Sequence, residues 1–298
     1  MRTVTTFGEA RRAGGGSVGL VPTMGALHEG HLSHIEAARG ANDTVVVSLF
    51  VNPLQFDERD DLFAYPRDLS RDAELVAKAG ADVLFAPEPD EVYPEPPLTA
   101  VSVSGVGEGM EGDHRPGHFN GVAIVVAKLL AGLRPDRAYF GRKDAQQLAV
   151  VKRIGFDLSF PIEIIGGPTV RESDGLALSS RNTRLSPAER VVARSLFAGL
   201  EAVAEAVDRG EGSASTLQAL ASAPIVAESG ATLEYATLAS QKAAAPMHGL
   251  DAPAFLAVAA RVGRTRLIDN VHIDSAGDVW VADLGSRLDG PSILYQET

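Results

Sequence analysis

The chain has 298 residues, about two domains' worth at roughly 150 residues each. Its 27 Lys and Arg against 39 Asp and Glu leave a net charge of −12, which disfavours a broad nucleic-acid-binding face because phosphate backbones need clustered cations. Hydrophobic residues at 45% and charged residues at 22% are an ordinary globular composition, and zero cysteines exclude disulfides and thiolate sites.

The start, Met1-Arg2-Thr3-Val4-Thr5-Thr6-Phe7, has no apolar h-region, and no apolar run approaches the roughly 20 residues of a membrane span. A soluble cytoplasmic protein with no nucleic-acid or membrane partner is expected. Val18-Gly19-Leu20-Val21 predicts a strand, followed by a Pro/Gly turn and a helix over about 31–39. Thr44-Val45-Val46-Val47-Ser48-Leu49-Phe50 is apolar on both faces, as a buried parallel strand requires. A helix over about 68–79 ends at Gly80 and leads into Asp82-Val83-Leu84-Phe85. A helix over about 121–133, the strand Ala138-Tyr139-Phe140, a helix over about 144–154 and the strand Ile162-Glu163-Ile164-Ile165 complete the alternation. This rhythm predicts a doubly wound parallel sheet, with ligand sites beyond the carboxyl ends of its strands.

After about residue 170 the pattern changes. Ser186 caps a long helix over 187–207 with Pro187 in its first position. Helical residues near 214–222 and strands near 232–239, 255–262 and 265–272 follow. The fold class is therefore α/β with a smaller α+β carboxyl-terminal domain, divided as 1–170 and 171–298. Segments 57–66 and 87–97, rich in charge or proline, read as loops.

Four segments carry the polar chemistry. Pro22-Thr23-Met24-Gly25-Ala26-Leu27-His28-Glu29-Gly30-His31 follows the first strand of the alternation, where glycines admit a ligand and a helix start suits a phosphate. Phe140-Gly141-Arg142-Lys143-Asp144-Ala145-Gln146-Gln147 occupies the same position after a later strand, and its lysine is one of only five. Ser179-Ser180-Arg181-Asn182, within the polar stretch from Val170 through Leu178, is a compact donor cluster suited to a triphosphate. Asn52 and Gln55, in Phe50-Val51-Asn52-Pro53-Leu54-Gln55-Phe56, offer neutral groups for a hydroxyl or carboxylate, although alone they read as ordinary loop residues. The spacing of His28, His31 and His34 also leaves a zinc site open. Asp60-Asp61 reads as a solvated loop, and Arg115 and His118 bracket a Pro-Gly turn that either faces a cleft or does not.

These four motifs, in this order over about 20–185, resemble the pantothenate synthetase (pantoate–β-alanine ligase) family, and the similarity continues through Leu267-Ile268-Asp269-Asn270. The resemblance implies a Rossmann-like amino-terminal domain, a smaller lid domain, a homodimer, and Mg²⁺-dependent use of ATP to join pantoate and β-alanine through a pantoyl-adenylate. It implies that Met24, Gly25, Ala26, Leu27, His28, Glu29, Gly30 and His31 bind ATP, with His31 as proton donor and His28 on the phosphates. Gly141, Arg142, Lys143 and Asp144 match the second ATP segment. Val170, through its backbone at the adenine, and Leu178, Ser179, Ser180 and Arg181 match the remainder. Gln55 and Gln147 match the pantoate-binding glutamines, and Gln55 also the β-alanine contact. No resident metal ligands are expected. His28, His31, Lys143, Ser179, Ser180 and Arg181 are the expected catalytic donors, and loop 57–66 a moving lid. Arg142 stands where the family usually has Glu, Ala145 where it has an aromatic residue, and Leu178 where it has Met. No family motif extends past about residue 272. Another H-x-G-H nucleotidyltransferase, a noncatalytic nucleotide sensor and a zinc hydrolase are the rival readings.

Overall fold

A computed structural model describes residues 1–56, 62–63 and 65–295. The chain divides into two compact units, one of residues 1–141 with 150–167 and one of residues 142–149 with 168–297. The acidic pair Asp60-Asp61 and most of loop 57–66, with the lid expected there, lie outside the described residues.

The first unit contains β1 (Arg2–Val4), α1 (Phe7–Ala13), β2 (Val18–Thr23), α2 (Glu29–Ala41), β3 (Thr44–Leu49), α3 (Leu69–Lys78) and β4 (Val83–Phe85). Two single turns, α4 (Pro89–Val92) and α5 (Glu111–His114), precede α6 (His118–Leu133) and β5 (Arg137–Gly141). Helix α7 (Ala145–Asp157), which belongs to this unit from Val150 onward, and β6 (Glu163–Gly167) follow. The six strands pair in parallel in the order β1-β4-β3-β2-β5-β6. Strands after β2 extend the sheet one way and strands after β5 the other, so the order reverses between β2 and β5. This is the Rossmann-like, doubly wound arrangement, and ligands in such sheets bind at that reversal, beyond the carboxyl ends of the strands. The carboxyl end of β2 is where the Met24–His31 segment begins.

The apolar character of β3 on both faces has its expected cause: five of its six residues are buried. Val21, Val45, Val47 and Leu84 of the sheet pack with Ile35 of α2 and Val76 of α3. At roughly 1.5–3 kcal/mol per fully buried aliphatic side chain, this layer is what fixes the strand ends in place. Strand β1 and α1 were not apparent from apolar period because both are short. The capping box of Thr6 and Glu9, with Glu9 accepting from the Thr6 amide, marks α1 instead.

The second unit begins with β7 (Val170–Arg171) and continues with α8 (Pro187–Asp208), α9 (Ala214–Ala227), β8 (Ala231–Ser240), β9 (Ala254–Val262), β10 (Thr265–Ala276), β11 (Val279–Asp283) and β12 (Ser286–Arg287). Strands β11-β10-β9-β8 form an antiparallel sheet, and β7 pairs with β12 in parallel. The expected cap of α8 is present, with Ser186 and Glu189 forming a capping box and Pro187 in the first turn. Leu196, Leu200 and Val203 of α8 and Leu217 of α9 pack with Leu256 and Val258 of β9 and Val271 of β10. Residues past 272, which carry no family motif, extend β10 and build β11 and β12.

Candidate active site

In the first unit, Met24–His31 leaves β2 and enters α2. The helix starts at Glu29, two residues earlier than its apolar period suggests, with His28 as its cap. The cap is reciprocal: His28 Nδ1 accepts from the Gly30 amide at 3.2 Å, and His31 Nδ1 accepts from the His28 amide at 3.3 Å. Two consequences follow. The Gly30 and His28 amides are used inside the turn, and the His31 amide donates to the His28 carbonyl at 2.8 Å. The His28, Gly30 and His31 amides are therefore already engaged, where the sequence suggested unpaired amides at the helix start. Second, an Nδ1 that accepts must be unprotonated, so each neutral ring carries its proton on Nε2. The rings lie 4.2 Å apart by their centroids, a pair of Nε2–H donors fixed by the backbone. His34, a turn further on, is buried against β6, where a Cβ on Gly167 would fall 2.3 Å from its Nδ1. Packed so, His34 does not extend the pair into a zinc site.

The turn is held from α3. Asp72, 1% exposed, accepts from the Ala26 amide at 3.0 Å and the Leu27 amide at 2.9 Å. Arg71 donates to the Leu27 carbonyl at 3.2 Å. Burial pushes the Asp72 carboxyl above the usual range, against the two amides and Arg71, which pull it down. Ala26 takes φ +53°, a left-handed conformation that this double anchor sustains. Asp72 was not visible as a functional residue in the sequence, where it is one more polar position of an amphipathic helix.

Asn52 and Gln55 sit at a 3₁₀ turn after β3. Asn52 Nδ2 donates to Gln55 Oε1 at 3.0 Å and to the Gly121 carbonyl at 2.9 Å. Its Oδ1 accepts from the Leu54 amide at 3.3 Å and the Tyr93 hydroxyl at 3.0 Å. With both hydrogens and both lone pairs engaged, Asn52 orients Gln55. The Gln55 carbonyl accepts from His118 Nδ1 at 2.8 Å and from Arg115 at 3.2 Å, so Arg115 and His118 support this turn. Gly121 is where α6 meets it, since a Cβ there would fall 2.1 Å from the Leu54 carbonyl.

In the second unit, Arg142-Lys143-Asp144 forms a 3₁₀ turn ahead of α7, which carries Gln147. Asn270 Nδ2 donates to the Arg142 and Lys143 carbonyls at 3.0 and 2.7 Å, and His272 Nε2 meets the Arg142 carbonyl at 3.2 Å. The Arg142 guanidinium pairs with Asp274 at 3.3 Å and Asp283 at 3.1 Å. Its charge is thus met by two carboxylates from the part of the chain past the last family motif. Lys143, with 21% of its side chain exposed, lies 3.8 Å from Asp144.

Val170 and Leu178 belong to one hairpin, in which the Leu178 amide donates to the Val170 carbonyl at 2.9 Å. Ser179 then caps a 3₁₀ turn over Ser180–Arg184, its hydroxyl accepting from the Arg181 amide at 3.3 Å. Ser179, Ser180 and Arg181 are half-buried on that turn. The hairpin is secured by Arg171, whose guanidinium binds Asp269 at 2.7 and 3.0 Å, with both side chains almost fully buried.

A family model described as Pantoate-beta-alanine ligase matches residues 1–272. The chain belongs to this family. A pantothenate synthetase of Geobacillus kaustophilus is 50% identical over 263 residues, 88% of each chain. One of Heliobacterium modesticaldum is 46% identical over 274 residues, 92% of this chain and 98% of that one. The crystal structure of pantothenate synthetase from Thermus thermophilus superposes with TM-score 0.86 at 47% identity, covering 91% of this chain and 98% of that one. The pantoate-beta-alanine ligase of Francisella tularensis, complexed with beta-gamma ATP and beta-alanine, superposes with TM-score 0.74 at 34% identity, covering 91% and 97%. Among the described residues, no helix is long and apolar enough to cross a membrane.

Proposed function

We propose that this chain condenses pantoate with β-alanine in two steps, forming pantoyl-adenylate and then pantothenate, and works as a cytoplasmic homodimer. The observation that carries the reading is the reciprocal His28–His31 cap at the carboxyl end of β2, which fixes both imidazoles through Nδ1 at the sheet's reversal point. Family membership supports the substrates.

A carboxylate acylates poorly because its leaving group would be oxide. In the first step a pantoate carboxylate oxygen attacks the α-phosphorus of ATP, forming an O–P bond as the bond to the pyrophosphate oxygen breaks. Charge grows on the phosphoryl oxygens, and preorganised donors stabilise it. The donors that the family resemblance implies are His28, His31, Lys143, Ser179, Ser180 and Arg181, with His31 supplying the proton. The stretches Met24–His31 and Gly141–Asp144, with the Val170 backbone and Leu178, hold the nucleotide. Gln55, oriented by Asn52, and Gln147 hold pantoate, and Gln55 also meets β-alanine. In the second step the unprotonated amine attacks the acyl carbon, the new C–N bond forms, and AMP departs with the C–O electron pair. The amine proton leaves to solvent or phosphate.

Mg²⁺ fits this scheme as part of the substrate. Among the described residues no three His, Asp or Glu side chains group to hold a metal ion. Mg²⁺ commonly keeps its waters and binds substrate phosphates rather than a protein cage. It neutralises phosphate charge, which matters in a chain of net charge −12.

Pyrophosphate–ATP exchange tests the reading: exchange should require pantoate and not β-alanine, and AMP should form in step with amide when both are present. His31→Ala and Lys143→Ala should each slow exchange by about 10²-fold or more with the fold retained. Exchange independent of pantoate would point to another nucleotidyltransferase, and near-native rates in both variants would remove the two residues from the chemistry.

A further inference from the structure

The turn that carries Ser179, Ser180 and Arg181 is held by a network that reaches Tyr295, more than a hundred residues further on. Asn182, 2% exposed, donates through Nδ2 to Glu172 Oε1 at 2.8 Å and to the Ala177 carbonyl at 2.9 Å. Glu172, itself 5% exposed, is the hub. Its Oε1 also accepts from the Tyr295 hydroxyl at 2.9 Å, and its Oε2 accepts from Arg190 at 2.6 Å. Arg190 closes the ring by donating to the Tyr295 hydroxyl at 2.7 Å and to Asp174 at 3.0 Å.

The segment leading to Tyr295 runs along the same hairpin. The Ser286 amide donates to the Thr169 carbonyl and the Leu288 amide to the Arg171 carbonyl, each at 2.9 Å. The Leu284 carbonyl accepts from the buried Arg171 guanidinium. Gly285, at φ +83°, allows this approach, because a Cβ there would fall 1.9 Å from the Thr169 carbonyl. Leu284, Gly285, Ser286, Leu288 and Tyr295 all lie beyond residue 272, where the family match ends.

We propose that residues 284–295 form a strap that sets the shape of the phosphate-binding turn, with Tyr295 as a positioning residue acting on Ser179–Arg181 through Glu172 and Asn182. The proposal rests on the reading that this turn binds the triphosphate. Tyr295 is 43% exposed overall, but partial desolvation of its hydroxyl, with the Glu172 carboxylate beside it, pushes the phenol up to about 12. Its hydroxyl therefore stays protonated at any working pH and bridges Glu172 and Arg190 as donor and acceptor at once. Glu172, tied to three donors, holds Asn182 by an acceptor that water would otherwise compete for.

Steady-state kinetics on the full-length chain test the strap, alongside amide hydrogen exchange of residues 178–184. Tyr295→Phe keeps the ring and removes the bridge. It should raise the KM for ATP about five-fold, with KM for pantoate and β-alanine unchanged, and should speed exchange in the turn. Tyr295→Ala should do both more strongly. Arg181→Ala serves as the reference for the phosphate reading and should raise the KM for ATP by itself. If Arg181→Ala raises it and neither Tyr295 variant changes KM or exchange, the strap is overturned alone. If Arg181→Ala leaves it unchanged, the phosphate reading fails, and the strap's part in ATP binding fails with it.

Discussion

His272 gives the protein a stability that depends on pH in a calculable way. It lies on β10, 3% exposed, with Nε2 on the Arg142 carbonyl at 3.2 Å and no partner for Nδ1. Burial lowers its pKa from 6.5 to about 4, against the pull of that carbonyl. The unfolded chain takes up the proton near 6.5 and the folded chain only near 4, so the contribution is complete above 6.5 and is lost as pH falls toward 4. At 1.36 kcal/mol per pH unit, the full window is worth about 3 kcal/mol, of which about 2 kcal/mol falls between pH 7 and 5. His272→Gln retains an amide donor near the Arg142 carbonyl and has nothing to titrate. The single tryptophan, Trp280 on β11, reports on this unit. Urea unfolding followed by its fluorescence at pH 7, 6 and 5 should show the native chain losing about 2 kcal/mol more than the variant. Parallel pH profiles for the two would refute the reasoning and mean that His272 is solvated in the folded state.

Two further substitutions probe the anchors. Asp72→Ala removes two charge-assisted bonds to backbone amides, and the relief of carboxylate desolvation offsets part of the loss. It should lower the melting temperature by an amount equivalent to about 2 kcal/mol and raise the KM for ATP, with Asp72→Asn between the two; an unchanged KM would mean the Ala26–Leu27 turn keeps its shape unaided. Asp269→Ala leaves the Arg171 guanidinium buried without its carboxylate and should cost about 3–5 kcal/mol by Trp280-detected unfolding. A loss under about 1 kcal/mol would show water reaching that guanidinium.

The parts of the fold written in local period were legible. Strand β3 declared itself by an apolar run, α8 by Ser186 and Pro187, and the doubly wound order by the alternation of strands and helices. The H-x-G-H segment was visible because its residue types sit at one strand end. Its working geometry was not, since a histidine acting as helix cap is indistinguishable in sequence from a histidine entering a helix. Residues that act across long separations left no local trace. Asp72 meets Leu27 across 45 positions, and Tyr295 meets Glu172 across 123. Arg142 looked like an uncompensated charge reversal because Asp274 and Asp283, which pair with it, stand more than a hundred residues away.

The parallel pairing of β7 with β12 also bears on how the molecule is made. Every described residue of the first unit precedes Pro168, so that unit can mature while the rest is still being translated. Val170 must wait for Ser286, a late and slow closure of high contact order. A nascent or prematurely terminated chain therefore owns a finished Rossmann-like half and an unfinished Val170–Leu178 hairpin. Completion of the β7–β12 pair thus waits on residues made more than a hundred positions after Val170.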